Sequence, residues 1–390
     1  MTSYLACLGT RPEIIKMAPL YRVLRARGHQ VQVLHTGQHT DMADALYAFF
    51  AMPPDAQVRL QRQTPRLSHL TAELLTQVDE QMQQLAPDVV LVQGDTSTAL
   101  AGALAAYYQD VPVAHVEAGL RTGERDPFPE EMNRCLIGRL AQWHFPPTPQ
   151  ATQNLLHEGI DGSRVHQVGN TVIDAALWAR EHLRQQPLHE CMPPDLARFM
   201  QLQAQGPMLL VTAHRRENWG VPMQRIAAAI GGLLQLHPQL SVVWPLHPNP
   251  KVRADVHMGL ASVPAQARAR LCLTDALQYP ALIGVLERCS FTLTDSGGIQ
   301  EEASALQKPV LILRESTERQ ELVQAGGAQL VGTLVHQIIE HASELLHDPV
   351  LLTSMQLQTS PFGDGLAAQR IADVLCREVH PTLHVERLAA

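Results

Sequence analysis

The chain predicts an α/β protein of two Rossmann-like, doubly wound domains. Short Val/Leu runs alternate with helical stretches along its whole length, they fall into two successive series, and polar or glycine-rich turns follow the runs. Continuous apolar strands separated by helices imply parallel sheets covered on both faces. In the first series Tyr4–Leu8, Val31–His35, Val89–Val92, Val113–Val116 and His144–Phe145 read as strands. The second comprises Met208–Thr212, Ser241–Trp244, Leu271–Leu273, Phe291–Thr294 and Val310–Leu313. Ala/Leu/Gln-rich segments such as Leu67–Leu85 and Thr98–Tyr108 read as the intervening helices. The boundary is expected near Gly169–Asp174, and the Pro-rich stretch Gln185–Pro194 reads as a loop beside it. A second crossing near Ser360-Pro-Phe-Gly-Asp-Gly precedes the amphipathic helix Leu366–Glu378. The expected domains are therefore 1–170 with 366–390, and 171–365.

At 390 residues the chain can form two domains of about 150–200 residues each. With 45% hydrophobic and 17% charged residues, both can bury substantial cores. A net charge of −8 argues against non-specific nucleic-acid binding, which needs a basic face. The six cysteines, Cys7, Cys135, Cys191, Cys272, Cys289 and Cys376, are scattered without a C-x-x-C pair. They read as small hydrophobes of a reducing compartment rather than disulfides or zinc ligands. Nineteen histidines include no H-E-x-x-H motif, so no metal site is predicted. The amino terminus lacks a basic start with an apolar signal core, and no apolar run approaches the ~20 residues that span a bilayer. The expected location is the cytoplasm, away from membranes.

The segment Thr294-Asp-Ser-Gly-Gly-Ile-Gln-Glu-Glu carries the most chemistry. It reads as a strand end and a tight turn that opens a helix. Ser296, Gly297 and Gly298 have no bulk to keep an anion from the free amides of a helix N-terminus. Glutamates one turn later would meet hydroxyls, an arrangement that suits a nucleotide sugar. Gly9-Thr-Arg-Pro-Glu follows the first strand, with Pro12 suited to a first helical turn. This places Arg11 and Lys16 at a strand's carboxyl end, where open parallel sheets bind ligands. Alternatively, Arg11 merely pairs with Glu13 and Lys16 is solvated.

Asp95 and Glu117 each terminate a strand of the first sheet and so share its carboxyl end; Asp95 before Thr-Ser-Thr also suits a helix cap. Glu130 and Arg134, four apart, lie on one helical face, as a ligand-directed group or as a solvated pair. His214, Arg215 and Arg216 end the first strand of the second series and suit a diphosphate, or form a surface triplet. His247 in Leu246-His-Pro-Asn-Pro is either a ligand contact or a loop stabiliser. Arg319 is placed to reach a phosphate or to hold Glu302. No G-x-G-x-x-G follows any strand, so a tightly held nicotinamide is unsupported.

Taken in order, the blocks GTRPEIIKMAPL, GDTSTALAGALAAYYQDVPVAHVEAGLRTG, PFPEEMNR, GNTVIDA, VTAHRREN, TDSGGIQEEA, ESTERQE and PFGDG resemble the non-hydrolysing UDP-N-acetylglucosamine 2-epimerases. They span residue 9 to about 365. The resemblance implies a GT-B-like fold with the active site in the interdomain cleft, a C-terminal helix returning to the N-terminal domain, and a homodimer. It implies UDP-GlcNAc and UDP-ManNAc as ligands, no cofactor, and a product that feeds surface polysaccharide synthesis. By similarity, Arg11, Lys16, His214, Ser296, Gly297, Gly298, Glu302 and Arg319 bind UDP, with Ser296 and Gly298 on phosphate and Glu302 on the ribose. Asp95, Glu117, Glu130, Arg134 and His214 fall at positions implicated in catalysis. Leu277 and Leu282 depart from the glutamine and aromatic residue that related enzymes often carry near the uracil. Gln38-His39-Thr40-Asp41 keeps only half of the Gln-His-x-x-Gln segment that serves activation by a second UDP-GlcNAc.

The implied chemistry fits these groups. The C2 hydrogen is not next to a carbonyl, so UDP must leave C1 while a base removes the C2 proton, giving 2-acetamidoglucal, and then add back. Departure of a diphosphate calls for cations and helix-terminal amides, and inversion for proton-transferring groups on both sides of C2. Rival readings are a GT-B glycosyltransferase, a hydrolysing epimerase that releases N-acetylmannosamine, and a non-catalytic sugar-nucleotide sensor.

Overall fold

A computed structural model describes residues 1–38, 43–61 and 64–379. The chain divides into unit 1, residues 1–175 with 362 onwards, and unit 2, residues 176–361. In unit 1 six parallel strands, β1 (Ser3–Leu8), β2 (Gln30–His35), β3 (Ala56–Gln57), β4 (Val89–Gln93), β5 (Val113–Val116) and β6 (Trp143–Phe145), form one sheet in the order β3-β2-β1-β4-β5-β6. Unit 2 holds β7 (Met208–Thr212), β8 (Ser241–Pro245), β9 (Leu271–Thr274), β10 (Phe291–Thr294), β11 (Val310–Ile312) and β12 (Ala328–Leu330), ordered β12-β11-β10-β7-β8-β9. Counted from its own first strand, the second sheet repeats the order 3-2-1-4-5-6 of the first.

This repetition decides where ligands can go. The order reverses between β1 and β4 in unit 1, and between β7 and β10 in unit 2. At such a switch point the two following connections leave to opposite faces and open a crevice at the strands' carboxyl ends. The central strands are buried on both faces, as their unbroken Val/Leu runs require. Helices Leu67–Leu85 and Ser97–Tyr108 pack together on unit 1's sheet. In unit 2 Ile226, Ile230 and Leu233 of helix Val221–Leu236 meet Trp244 and Phe291 in a continuous core.

The ten expected strands all form, with no end moved by more than one residue. The edge strands β3 and β12, of two and three residues, are too short for their apolar pattern to be noticed. Helix Leu67–Leu85 forms as expected, and the returning helix spans Ala367–Glu378.

That last helix belongs to unit 1 and packs on helix Arg11–Ala26. It buries Ile371, Ala372, Val374 and Leu375. Arg27 pairs with Asp373 at 2.7 Å, and the Trp143 indole donates to Glu378 at 2.8 Å. The buried Asp174 carboxylate accepts from the amides of Ala367 and Ala368, so the helix's exposed N–H groups find an acceptor. Ile371 is fully buried. Ile371→Ala is expected to destabilise unit 1 by about 2–5 kcal/mol, read as an earlier midpoint of urea unfolding. An unmoved midpoint would remove this helix from the core.

Candidate active site

In unit 1 the turns after β1, β4 and β5 come together. Gly9 has no room for a Cβ, which would lie 2.2 Å from Thr98 Oγ1 and 2.4 Å from Thr36 Oγ1. The next turn is closed by Glu13, whose side chain is fully buried. Glu13 Oε2 accepts from Gly9 N at 2.9 Å, Thr10 N at 2.7 Å and Thr10 Oγ1 at 2.8 Å. Its Oε1 accepts from Thr96 Oγ1 at 2.6 Å. One carboxylate therefore ties the turn after β1 to the turn after β4. Burial pushes its pKa up to about 6, although the donors from Thr96, Thr10 and Gly9 pull the other way.

Thr96 is the N-cap of helix Ser97–Tyr108 and accepts from Ala99 N at 3.0 Å. The capping alternative for Asp95 is therefore taken by its neighbour, and the Asp95 carboxylate is left to face Arg134 at 3.2 Å. Burial raises the Asp95 pKa to about 6; Arg134 opposes this, Glu117 and Glu130 add to it, and Lys16 opposes it. Asn133 Nδ2 holds the Asp95 carbonyl at 2.8 Å.

Glu117 stands just past β5 with φ +62°, a left-handed conformation that a non-glycine residue rarely adopts. Lys16 Nζ reaches both of its oxygens at 2.7 Å. Asn170 Nδ2 donates to Oε1 at 2.9 Å, and Gln93 Nε2 donates to Oε2. Lys16 is thus an ion-pair partner held near the sheet rather than a solvated helix residue. Beneath the two turns, His115 is fully buried with Nε2 2.7 Å from the Gly94 carbonyl. Burial depresses its pKa to about 4, which keeps the ring neutral.

Arg134 does not form the solvated pair with Glu130. It is buried between Asp95 and Glu131, the latter at 3.6 Å. Glu131 also accepts from the amides of Thr122 and Gly123 at 3.1 Å and so shapes the loop before its helix. Glu130 is the half-buried first residue of helix Glu130–Leu140, close enough to raise the Asp95 pKa.

Unit 2 builds a complementary site at its own switch point. Ser296 is the N-cap of helix Gly297–Ala305 and makes no side-chain capping bond to it. A Cβ on Gly298 would meet nothing within 4 Å, so the first turn opens onto free space. A Cβ on Gly297 would lie 3.3 Å from the Arg319 guanidinium carbon. The glycine thus lets a cation lie against the helix's positive end. Arg319 Nε donates to Glu301 at 2.8 Å, and Glu302 is buried one turn along the helix.

Asp295, fully buried, organises the turn after β7. Its Oδ2 accepts from His214 N, Arg215 N and Asn218 Nδ2, each at 2.9 Å. Its Oδ1 lies 3.4 Å from His214 Nδ1, while the His214 side chain is 46% exposed and open to a ligand. Arg215 pairs with Glu318 at 3.3 Å, so it is not part of a free surface triplet. His247 accepts from Asn249 N at 3.2 Å within its own loop, which is the stabilising role. Leu277 is buried and Leu282 half-buried in unit 2. Of the Gln38–Asp41 segment, residues 39–41 lie outside the described residues. Among the described residues no group of three or more His, Cys, Asp or Glu is placed to hold a metal.

The structure therefore brings Asp95, Glu117, Glu130, Arg134 and Lys16 to one place in unit 1. It brings His214, Ser296, Gly297, Gly298 and Arg319 to another in unit 2. The reading from sequence missed Glu13, His115, Asn170 and Asp295. The spacing Thr10-x-x-Glu13, a capping-box signature, could have flagged the first.

Three comparisons with known proteins agree with each other. The family model described as UDP-N-acetylglucosamine 2-epimerase matches residues 22–376. A probable UDP-N-acetylglucosamine 2-epimerase of Ralstonia nicotianae is 42% identical over 95% of this chain and 98% of its own length. The UDP-N-acetylglucosamine 2-epimerase of Escherichia coli strain K12 is 41% identical over 95% of this chain and 97% of its own. Among solved structures, the UDP-GlcNAc 2-epimerase of Neisseria meningitidis bound to UDP-GlcNAc superposes with a TM-score of 0.84 at 37% identity, covering 96% of this chain and all of that one.

A raised carboxyl holds its proton more tightly folded than unfolded. The folding penalty of Asp95 is therefore complete above about pH 6 and disappears as pH falls below its ordinary 3.8. Asp95→Asn is expected to stabilise the protein at pH 7.5 by on the order of 1–2 kcal/mol, with the gain fading between pH 6 and 4. Melting curves across that range check the sign, and a variant less stable than the parent at pH 7.5 contradicts it.

Proposed function

The chain belongs to the UDP-N-acetylglucosamine 2-epimerase family, and from that premise we propose how its residues invert C2 of UDP-N-acetylglucosamine. The enzyme is an isomerase that interconverts UDP-GlcNAc and UDP-ManNAc on a GT-B-like pair of Rossmann-like units. The sugar falls to unit 1 and the nucleotide to unit 2. The observation that carries this reading is the pair Asp95 and Glu117 at adjacent strand ends, their surroundings made unlike by one arginine on one side and three donors on the other.

The diphosphate is assigned to the Ser296 hydroxyl and the amides of Gly297 and Gly298 with His214 and Arg319, and the ribose hydroxyls to Glu302. A helix N-terminus with an adjacent guanidinium stabilises the charge that grows as the C1–O bond breaks. In that step the C2 proton passes to a carboxylate, the C2–H electron pair forms the C1=C2 bond of 2-acetamidoglucal, and UDP departs with the C1–O pair. Re-addition reverses these transfers with the proton delivered to the opposite face. Asp95, with a pKa of about 6, exchanges protons readily near neutrality. Glu117, ion-paired with Lys16, and Glu130 are the other proton carriers, and Arg134 keeps Asp95 in place. Elimination and re-addition needs no redox cofactor.

The product is assigned to surface polysaccharide synthesis in the cytoplasm; no described helix is long and apolar enough to cross a membrane. A homodimer is supported by the exposed side chains Phe128, Met132 and Leu136, which run along and just ahead of one helix of unit 1.

Incubation with UDP-GlcNAc in deuterated water is expected to place deuterium at C2 and yield both epimers, read by proton NMR. Release of free ManNAc with UDP would instead identify a hydrolase. Exchange only with an added acceptor would point to a transferase, and binding without turnover to a sensor. Glu117→Gln and Asp95→Asn are each expected to cut turnover by at least about 100-fold, in the range of a lost general acid or base, with UDP affinity retained. Near-normal rates in either would remove that residue from the chemistry.

A further inference from the structure

The chain crosses from unit 1 into unit 2 between residues 175 and 176 and returns between 361 and 362. Just inside unit 1 the two crossing segments lie back to back. Gly169 (φ +95°) and Gly363 (φ +140°) face each other so closely that a Cβ on the first would lie 3.3 Å from the Cα of the second. Asn170 N donates to the Phe362 carbonyl at 2.7 Å, and Arg370 adds a bond to the Val168 carbonyl at 3.1 Å.

Asn170 is 3% exposed, and both ends of its side chain are committed. Its Oδ1 accepts from Val172 N at 3.1 Å, the bond by which an N-cap residue satisfies a helix's first turn. The helix it caps, Thr171–Arg184, is the one that carries the chain into unit 2. Its Nδ2 donates to Glu117 Oε1 at 2.9 Å. The side chain cannot turn without losing one of these bonds.

We propose that Asn170 is a positioning residue that locks the Glu117 carboxylate to the paired crossing segments, so that the placement of a proton-transferring group is set by the connection between the units. A cap alone would need only the oxygen, which Ser or Asp supplies as well as Asn. The amide hydrogen aimed at Glu117 is surplus to capping and is the part that acts on the reaction. Lys16 of the first helix, Gln93 of β4, Asp95 in the turn after β4 and His115 of β5 also face Glu117.

This rests on the role of Glu117 in the epimerisation, and the test separates the two. Asn170→Ser and Asn170→Asp both keep a capping oxygen. Ser withdraws the donor, and Asp sets a second carboxylate against Glu117, which disfavours its charged form. The expected result is a kcat about 10-fold lower in Asn170→Ser and lower still in Asn170→Asp. The acid limb of the Asp variant's pH profile should move to higher pH, while UDP affinity stays within about twofold, the donor bond acting where a charge changes hands. Gly363→Ala disturbs the backbone partner without touching the Asn170 side chain, and should lower kcat in the same direction. Capping variants within twofold of the parent kcat, with an unmoved pH profile, overturn the proposal. If Glu117→Gln also keeps its rate, the assignment of Glu117 fails first; if Glu117→Gln is inactive, only the link through Asn170 fails. Should the Asn170 variants not fold, an unaltered kcat in Gly363→Ala overturns it.

Discussion

A carboxylate taken out of water must be surrounded by donors, and this constraint shapes both switch points. Removing a carboxylate from solvent without partners would neutralise it or unfold its surroundings. Glu13, Glu117 and Asp295 are each at most 7% exposed, and each collects at least three hydrogen-bond donors. Two of them do the same mechanical work in opposite directions. Glu13, after the first strand of its sheet, reaches to Thr96 after the fourth. Asp295, after the fourth strand of its sheet, reaches to His214 and Arg215 after the first. In both units the two turns that flank the crevice are therefore cross-tied by one buried acid. The groups beside them inherit that rigidity.

On this shared scaffold the units diverge in charge. Unit 1 gathers acids, balanced by Lys16 and Arg134, as the proposed proton transfers require. Unit 2 presents amides, an imidazole and a guanidinium, as the proposed departure and return of a diphosphate require. Preorganised dipoles of this kind need no rearrangement when charge develops. The tight polar packing around Glu117 also explains how an unfavourable φ of +62° persists there: the surrounding bonds over-determine it.

Much of the architecture was readable because a buried parallel strand is an unbroken apolar run, and ten of the twelve strands among the described residues announce themselves that way. Their carboxyl ends were readable too, and with them Asp95, Glu117, His214 and the Ser296–Gly298 turn. Partner choice was not. Lys16 meets Glu117 across 101 positions, and Asn170 meets it across 53, through a register of strands that local pattern does not encode. Nor does helical spacing decide between neighbours. Glu130 and Arg134 share a face, yet the arginine turns inward and lies between Asp95 and Glu131. Asp295 was overlooked because a single acid in a turn carries no mark of its burial, whereas Glu13 was marked by its capping-box spacing from Thr10.

The returning helix has a consequence for how the protein is made. Unit 1 takes its sheet from the first 150 residues, but one part of the cover of helix Arg11–Ala26 and of Trp143 comes from residues 367–378. While the ribosome is still extending the chain, the earliest domain must wait, incomplete, through synthesis of all of unit 2. At ~5–20 residues per second, those 186 residues occupy on the order of 10–40 seconds. During that interval a strip of apolar surface on the nascent chain stands open to chaperones or to misassociation.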